Sequence, residues 1–305
     1  MALNVNKLLA ICNKKNSILF QGYYQGSVVQ EKAFHLLTEE YTIVLVTSPE
    51  HLQAVKDIRA EVFVPRLEMS FEELEARDFL INRDDEQSFI YLLQHKATEE
   101  YVGSIRVIFI NEKTPIQIIP MQRDGKVQGI EDLTQKRPIC EISRLSLIKS
   151  LPEHQDFSMS QLRTLLSMSL MSATRINFFL YHYANIFAIM EHSLHRILKR
   201  QSVAFKPIGD AVDYYGARFP FVINQKDLAI AIEKTEESMG KVTKYYLREL
   251  CKNSKSFWDF IDNNPYIERS DIHLDKICQI FKEYGENISI ERLVRETFNE
   301  HGVKA

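Results

Sequence analysis

At 305 residues, 45% of them apolar and 26% charged, the chain can hold one large domain or a catalytic domain with an appendage, and disorder is not its default. A formal net charge of −3 gives no bulk attraction to nucleic acid or anionic membrane, so an electrostatic partner has to meet a local patch. No apolar run reaches the ~18 to 20 residues that span a bilayer, and four scattered cysteines (Cys12, Cys140, Cys251, Cys278) show neither zinc-ligand nor disulfide-framework spacing, which implies reduced thiols in a cytoplasm.

Residues 1–41 mix a short amphipathic stretch (Val5, Leu8, Leu9, Cys12) with glycines and aromatics and are set apart as an N-terminal extension without an assigned role. Residues 42–47 are a β-branched run. Ser48 then caps a helix with Pro49 and Glu50 in its first turn, carrying Leu52, Val55, Ile58, Arg59, Val62 and Phe63 to one side until Pro65 is expected to stop it. Residues 66–86 are strongly acidic, a pattern that usually means a solvated helix and loop. Two strand-like runs, 89–93 and 101–109, read as a hairpin, and Asp124-Gly125-Lys126 as a turn. A strand over 140–148 is followed by an expected helix over 159–176, a strand over 178–181 and a helix over 186–200. Such alternation predicts an α/β (α+β) fold over 42–224. From 225 to 305 the period is helical, with Ser270 and Ser289 as helix starts, and this region reads as a helical appendage.

The strand over 140–148 is Cys140-Glu141-Ile142-Ser143-Arg144-Leu145-Ser146-Leu147-Ile148. Buried strands seldom carry charges. Residues three apart on a strand point to opposite faces, so Glu141 and Arg144 would each need a partner from another element or from a ligand. The plain alternative is a strand with framework ion pairs, Glu141 with Arg106 among them.

Upstream lie Arg59-Ala60-Glu61-Val62-Phe63, the acidic positions Asp78 and Asp85 (with Asp84 one residue away as an alternative), and Val102-Gly103-Ser104-Ile105-Arg106. Downstream lie Met190-Glu191-His192, Arg196-Ile197-Leu198 and Tyr214-Tyr215-Gly216-Ala217-Arg218-Phe219-Pro220. That ordered set resembles the acyl-homoserine-lactone synthases, the long-chain N-acyl amino acid synthases and the exosortase-associated acyltransferases, all within the GNAT superfamily. The resemblance implies a GNAT-like central mixed sheet flanked by helices, and N-acylation of a small amine. It implies Glu141 as the catalytic carboxylate that polarises the amine, and Arg59, Phe63, Asp78, Asp85, Arg106 and Arg144 around the acceptor. Asp78 and Asp85 would hold the acceptor's ammonium group. Arg106 and Arg144 would orient the acidic loop or bind the acceptor's carboxylate.

Acetyl-CoA-dependent members follow the central strand with a glycine-rich turn that receives the CoA pyrophosphate. Residues 151–158 here have no glycine and two acids, which favours a donor on acyl carrier protein over acyl-CoA. Arg196, Lys199 and Arg200 would then dock the acidic carrier, although a basic helix end is also favoured by the helix dipole alone. Such chemistry needs no metal. Four readings remain: acylation of an amino acid, lactone-signal synthesis from S-adenosylmethionine, a catalytically silent ligand-binding sensor, and CoA-dependent acetylation.

Overall fold

The computed structural model describes residues 27–200, 203, 205–233 and 239–298, so the amphipathic stretch around Val5 to Cys12 lies outside the described residues. Helix α1 (Ser27–His35) runs through a π-turn at Leu36–Glu40 into strand β1 (Tyr41–Leu45). Helix α2 (Pro49–Leu67) starts as its cap residues dictate: Ser48 Oγ accepts from the His51 N–H at 3.3 Å, and Pro49 occupies the first turn, where a missing N–H is harmless. Pro65 does not stop α2. It sits in the last turn, where a proline forfeits one ladder bond, and the helix ends at Glu68, whose φ of 54° is left-handed.

Short helices α3 (Phe71–Ala76) and α4 (Arg83–Glu86) lead to the hairpin β2 (Ser88–His95) and β3 (Tyr101–Ile110). Then come α5 (Pro120–Arg123), α6 (Glu131–Gln135), β4 (Ile139–Leu147), α7 (Met159–Leu180), β5 (Asn185–Met190), α8 (His192–Arg200), β6 (Lys206–Pro207), β7 (Val212–Asp213) and β8 (Ala217–Asn224). Helices α9 (Gln225–Glu233), α10 (Lys241–Lys252), α11 (Lys255–Asp262), α12 (Leu274–Tyr284) and α13 (Ile290–Phe298) complete the described chain. Ser289 caps α13 through its hydroxyl, 3.1 Å from the Arg292 N–H, whereas Ser270 falls in a 3-10 turn ahead of α12.

The strands form one sheet in the order β1-β2-β3-β4-β5-β8-β6, with β7 paired to β8. Every pairing is antiparallel except β4 with β5. Two expectations are corrected here. Residues 178–181 are not a strand: Phe178, Phe179 and Leu180 are the buried end of α7. Residues 186–190, expected as the start of a helix, are β5, which lies between β4 and β8. A short apolar run buried on both faces has no periodicity to separate strand from helix, and only the vacancy in the sheet decides.

One sheet face packs on α7 and the C-terminal helices, with the Phe89 and Phe257 rings stacked at 6.4 Å and the Tyr246 hydroxyl bonded to Leu37 O at 2.9 Å. Cys251 and Cys278, 27 residues apart, are joined in a disulfide that ties α10 to α12, with Cα atoms 5.3 Å apart. That overturns the expectation of reduced thiols for these two, because a pair this far apart in sequence leaves no spacing signal. Cys140 is free and buried. The other face is covered by α2 and by residues 116–135. Among the described residues no helix is long and apolar enough to cross a membrane.

Two departures from regularity meet on β4. The parallel pairing with β5 ends at Ile142 opposite Ala188, yet β4 continues to Leu147, so the two strands part beyond that point. Against β3 the register shifts: Arg106 faces Ser143 and Ser104 faces Ser146, leaving Ile105 opposite both Arg144 and Leu145. This is a β-bulge, and Arg144 takes a φ of 56° within it.

Candidate active site

Where β4 and β5 part, a cleft of about 290 Å³ opens, lined among others by Phe63, Phe79, Glu141, Arg144, Ala188 and Tyr214. Glu141 and Arg144 therefore share one cavity, where a regular strand would send them to opposite faces. The bulge re-aims Arg144: its guanidinium carbon lies 3.6 Å from the Phe79 ring centroid and 5.7 Å from that of Phe63, on the α2 side of the sheet.

Beside the cleft is a buried polar network. Arg59, 1% exposed, donates from Nη2 to Asp85 Oδ1 at 2.9 Å and from Nη1 to Asp85 Oδ2 at 3.0 Å and Leu80 O at 2.6 Å. Arg106, equally buried, donates from Nη1 to Asp85 Oδ1 at 3.1 Å and Asn82 Oδ1 at 2.9 Å, and from Nε to Ser143 Oγ at 3.0 Å. The Asn82 N–H closes the set on Asp85 Oδ2 at 2.8 Å. Burial alone would raise the Asp85 pKa, but the guanidinium groups, Arg59 foremost, hold it well below the usual carboxylate range. Asp84 is a separate pair, bidentate to Arg123 at 2.9 and 2.8 Å. Both Asp85 oxygens are occupied, and the residue orients arginines rather than facing the cleft.

Glu141 is different. It is 1% exposed, its Oε2 accepts from the Met121 N–H at 2.9 Å, and its Oε1 has no hydrogen-bond partner among the described residues. It forms no ion pair with Arg106, whose guanidinium is committed to Asp85, Asn82 and Ser143. Desolvation pushes its pKa up to about 7, against the pull of the Met121 hydrogen bond and Arg106. Arg144, stacked on Phe79, has no hydrogen bond or ion pair from its guanidinium among the described residues. Burial, then the nearby Arg106 and Arg59 charges, lower its pKa to about 9, so it is still a cation at neutral pH. Tyr214 has its hydroxyl pushed up to about 12, chiefly by burial, and is a neutral donor there. A carboxyl with an unbonded oxygen, sharing one cleft with a cation that has no ion-pair partner among the described residues, makes a site that can take a proton from an amine and hold an anion.

A model of the autoinducer synthase family matches residues 45–215, more than half of the chain. The chain belongs to the autoinducer synthase family. It is an N-acyltransferase built on one mixed, mostly antiparallel sheet. Similar solved structures include FeeM, an N-acyl amino acid synthase from uncultured soil microbes, 14% identical over 63% of this chain and 93% of that one, with a TM-score of 0.42. The CoA-dependent acyl-homoserine lactone synthase BjaI, solved with SAM and isopentyl-CoA, is 17% identical over 64% and 89%, with a TM-score of 0.41. A GNAT-family acetyltransferase from Streptococcus agalactiae is 12% identical over 60% and 95%, with a TM-score of 0.36. No curated protein matches it.

In this autoinducer synthase family member the remaining sequence candidates fall in different places. Phe63 lines the cleft and meets Phe79 edge-on at 5.1 Å. Asp78 is exposed, with a φ of 51°, and belongs to neither the cleft lining nor the buried network. Arg196 and Lys199 are exposed on α8, and the side chain of Arg200 lies outside the described residues. Sequence reading missed three contributors. Asn82 joins the arginine network, Phe79 seats Arg144, and the Met121 N–H fixes Glu141. Asn82 had a signal, since an Asn three residues before Asp85 fits a capping box. The other two had none, because each depends on a contact between distant segments.

Proposed function

We propose that this N-acyltransferase moves a fatty acyl group from acyl carrier protein to the amine of an amino acid. The observation that carries this reading is the pairing, in one cleft, of Glu141 with a free carboxylate oxygen and Arg144 with an uncompensated guanidinium. Arg144 binds the acceptor's carboxylate, which directs the ammonium group to Glu141. With a pKa of about 7, Glu141 takes one ammonium proton near neutral pH. The neutral amine attacks the thioester carbon, and the developing oxyanion lies against the β5-facing edge of β4 beyond Ile142, where the pairing with β5 has ended and backbone N–H groups can receive it. Collapse breaks the C–S bond, the thiolate leaves with the proton that Glu141 passes on, and the freed Glu141 carboxylate takes the second proton from the acylated nitrogen and releases it to solvent. Arg59, Asp85 and Arg106 hold the floor of the site and Phe63 its wall. Residues 42–224 carry the chemistry and the helical region after 225 stands behind the sheet.

The donor assignment rests on the turn between β4 and α7. Residues 148–158 contain no glycine, the Ser158 N–H already bonds Gln161 Oε1 at 2.7 Å, and Arg163 is spent on Leu147 O and Ile148 O at 3.0 and 2.7 Å. Such a turn offers little to a pyrophosphate, and a carrier-bound pantetheine arm has none. A groove lined by Leu145, Met159, Thr164, Met168, Leu194 and Ile197 shares Leu145 and Leu194 with the cleft, which gives such an arm a route. The helix bearing Leu194 and Ile197 also exposes Arg196 and Lys199 to an acidic carrier.

The family's description, autoinducer synthase, favours a second reading, a lactone signal, for which the resemblance implies S-adenosylmethionine as the acceptor. Mass spectrometry on reactions with acyl carrier protein or acyl-CoA, using wild type and Glu141→Ala, separates the two. An acylated amino acid that vanishes in Glu141→Ala supports the proposal. A lactone with methylthioadenosine establishes the second reading, and donor binding without turnover makes the chain a sensor.

A further inference from the structure

The tip of the β7–β8 hairpin reaches the same cleft. Tyr214 lines it, half-buried, and its hydroxyl has no hydrogen-bond partner among the described residues. Tyr215 and Gly216 both take left-handed φ values, 55° and 98°. The loop is closed by Tyr214 N–H to Gly216 O at 3.0 Å and Gly216 N–H to Asp213 Oδ1 at 3.2 Å. A left-handed non-glycine residue costs roughly 1–3 kcal/mol and persists where its surroundings over-determine it. At Tyr215 the surrounding is Phe79, whose ring it meets edge-on at 4.6 Å. Phe79 in turn seats the Arg144 guanidinium at 3.6 Å. The hairpin thus supports the cation and brings a phenol into its cavity.

A guanidinium stacked on a ring keeps its in-plane donors, and a phenol adds one more. The chemistry that satisfies both is a carboxylate. Glu141 does not serve, since one of its oxygens is held by Met121 and the other meets neither group.

We infer that the β7–β8 hairpin selects the acceptor: Tyr214 donates its hydroxyl hydrogen to the carboxylate that Arg144 binds, and Tyr215, through Phe79, is a positioning residue for Arg144. This rests on the reading that the acceptor is an amino acid.

The test compares two acceptors: the proteinogenic amino acid that the wild type acylates fastest, and the amine left when its carboxyl is removed. Wild type, Tyr214→Phe, Tyr215→Ala and Tyr215→Phe are each supplied with acyl carrier protein. Tyr214→Phe should raise KM for the amino acid about 10-fold, as expected for a lost hydrogen bond to a charged group, while kcat and the donor KM stay near wild type and the amine is unaffected. Tyr215→Ala should move the same KM, and Tyr215→Phe, which keeps the ring edge, should restore it. An unchanged amino acid-to-amine ratio in Tyr214→Phe overturns the inference. So does an equal fall in kcat for both acceptors, which would place the hydroxyl on the thioester. A wild type that acylates both acceptors equally overturns the amino-acid reading beneath it. Because Tyr214→Phe removes only an oxygen atom, it keeps the test decisive even if Tyr215→Ala fails to fold.

Discussion

Glu141→Gln separates a group that is buried for chemistry from one buried for structure. In the folded protein desolvation raises the Glu141 pKa from 4.5 to about 7. At about 1.4 kcal/mol per unit, that shift corresponds to about 3 kcal/mol. As pH rises the unfolded chain loses this proton first, so between about 4.5 and about 7 it binds fewer protons than the folded one and stability falls through that window. Glutamine does not titrate. The stability of Glu141→Gln relative to wild type should therefore climb by about 3 kcal/mol between pH 4 and pH 8. Glutamine can still accept from the Met121 N–H through its amide oxygen, but it buries an unpaired NH2, a pH-independent offset of about 1–3 kcal/mol. Urea denaturation of both proteins at several pH values measures the difference. Acylation on the same preparations should rise through pH 7 in wild type and be at least ~100-fold slower in the variant. A stability difference flat in pH, together with near-normal acylation by Glu141→Gln, would refute both the buried carboxyl and its role.

Other perturbations test the surroundings. Asp85→Asn leaves Arg59 and Arg106 as uncompensated buried cations and should cost about 3–5 kcal/mol in urea denaturation, whereas the exposed Asp78→Asn should stay within about 0.5 kcal/mol. Reversing charge at Arg196 and Lys199 should raise KM for acyl carrier protein and leave a small pantetheine thioester unaffected; equal effects on both donors would remove the docking surface. Replacing Cys251 and Cys278 by serine opens a loop of 27 residues and should lower stability under oxidising conditions by about 2–4 kcal/mol. No change in the midpoint would mean that the pair is reduced in solution.

Much of the frame is local and was therefore legible. The Ser48-Pro49 start of α2, the β2–β3 hairpin, the strand character of 140–148 and the helical region after 225 follow from capping, alternation and period, which act over a few residues. Arg59 and Phe63, four apart on α2, share a face for the same reason. The tertiary structure decided what each charge does. Arg106 is consumed by Asp85, Asn82 and Ser143, and Asp84 by Arg123, which singles out Asp85 from its neighbour. Among the described residues Arg144 is left without an ion pair, because a single extra residue against Ile105 turns it into the cleft that Glu141 lines. A bulge belongs to the pairing of two strands, and no pattern on β4 alone records it. The pairing of β5 with β4 and the union of Cys251 with Cys278 are likewise meetings of distant segments, where burial and sheet vacancy outweigh anything a short window of sequence prefers.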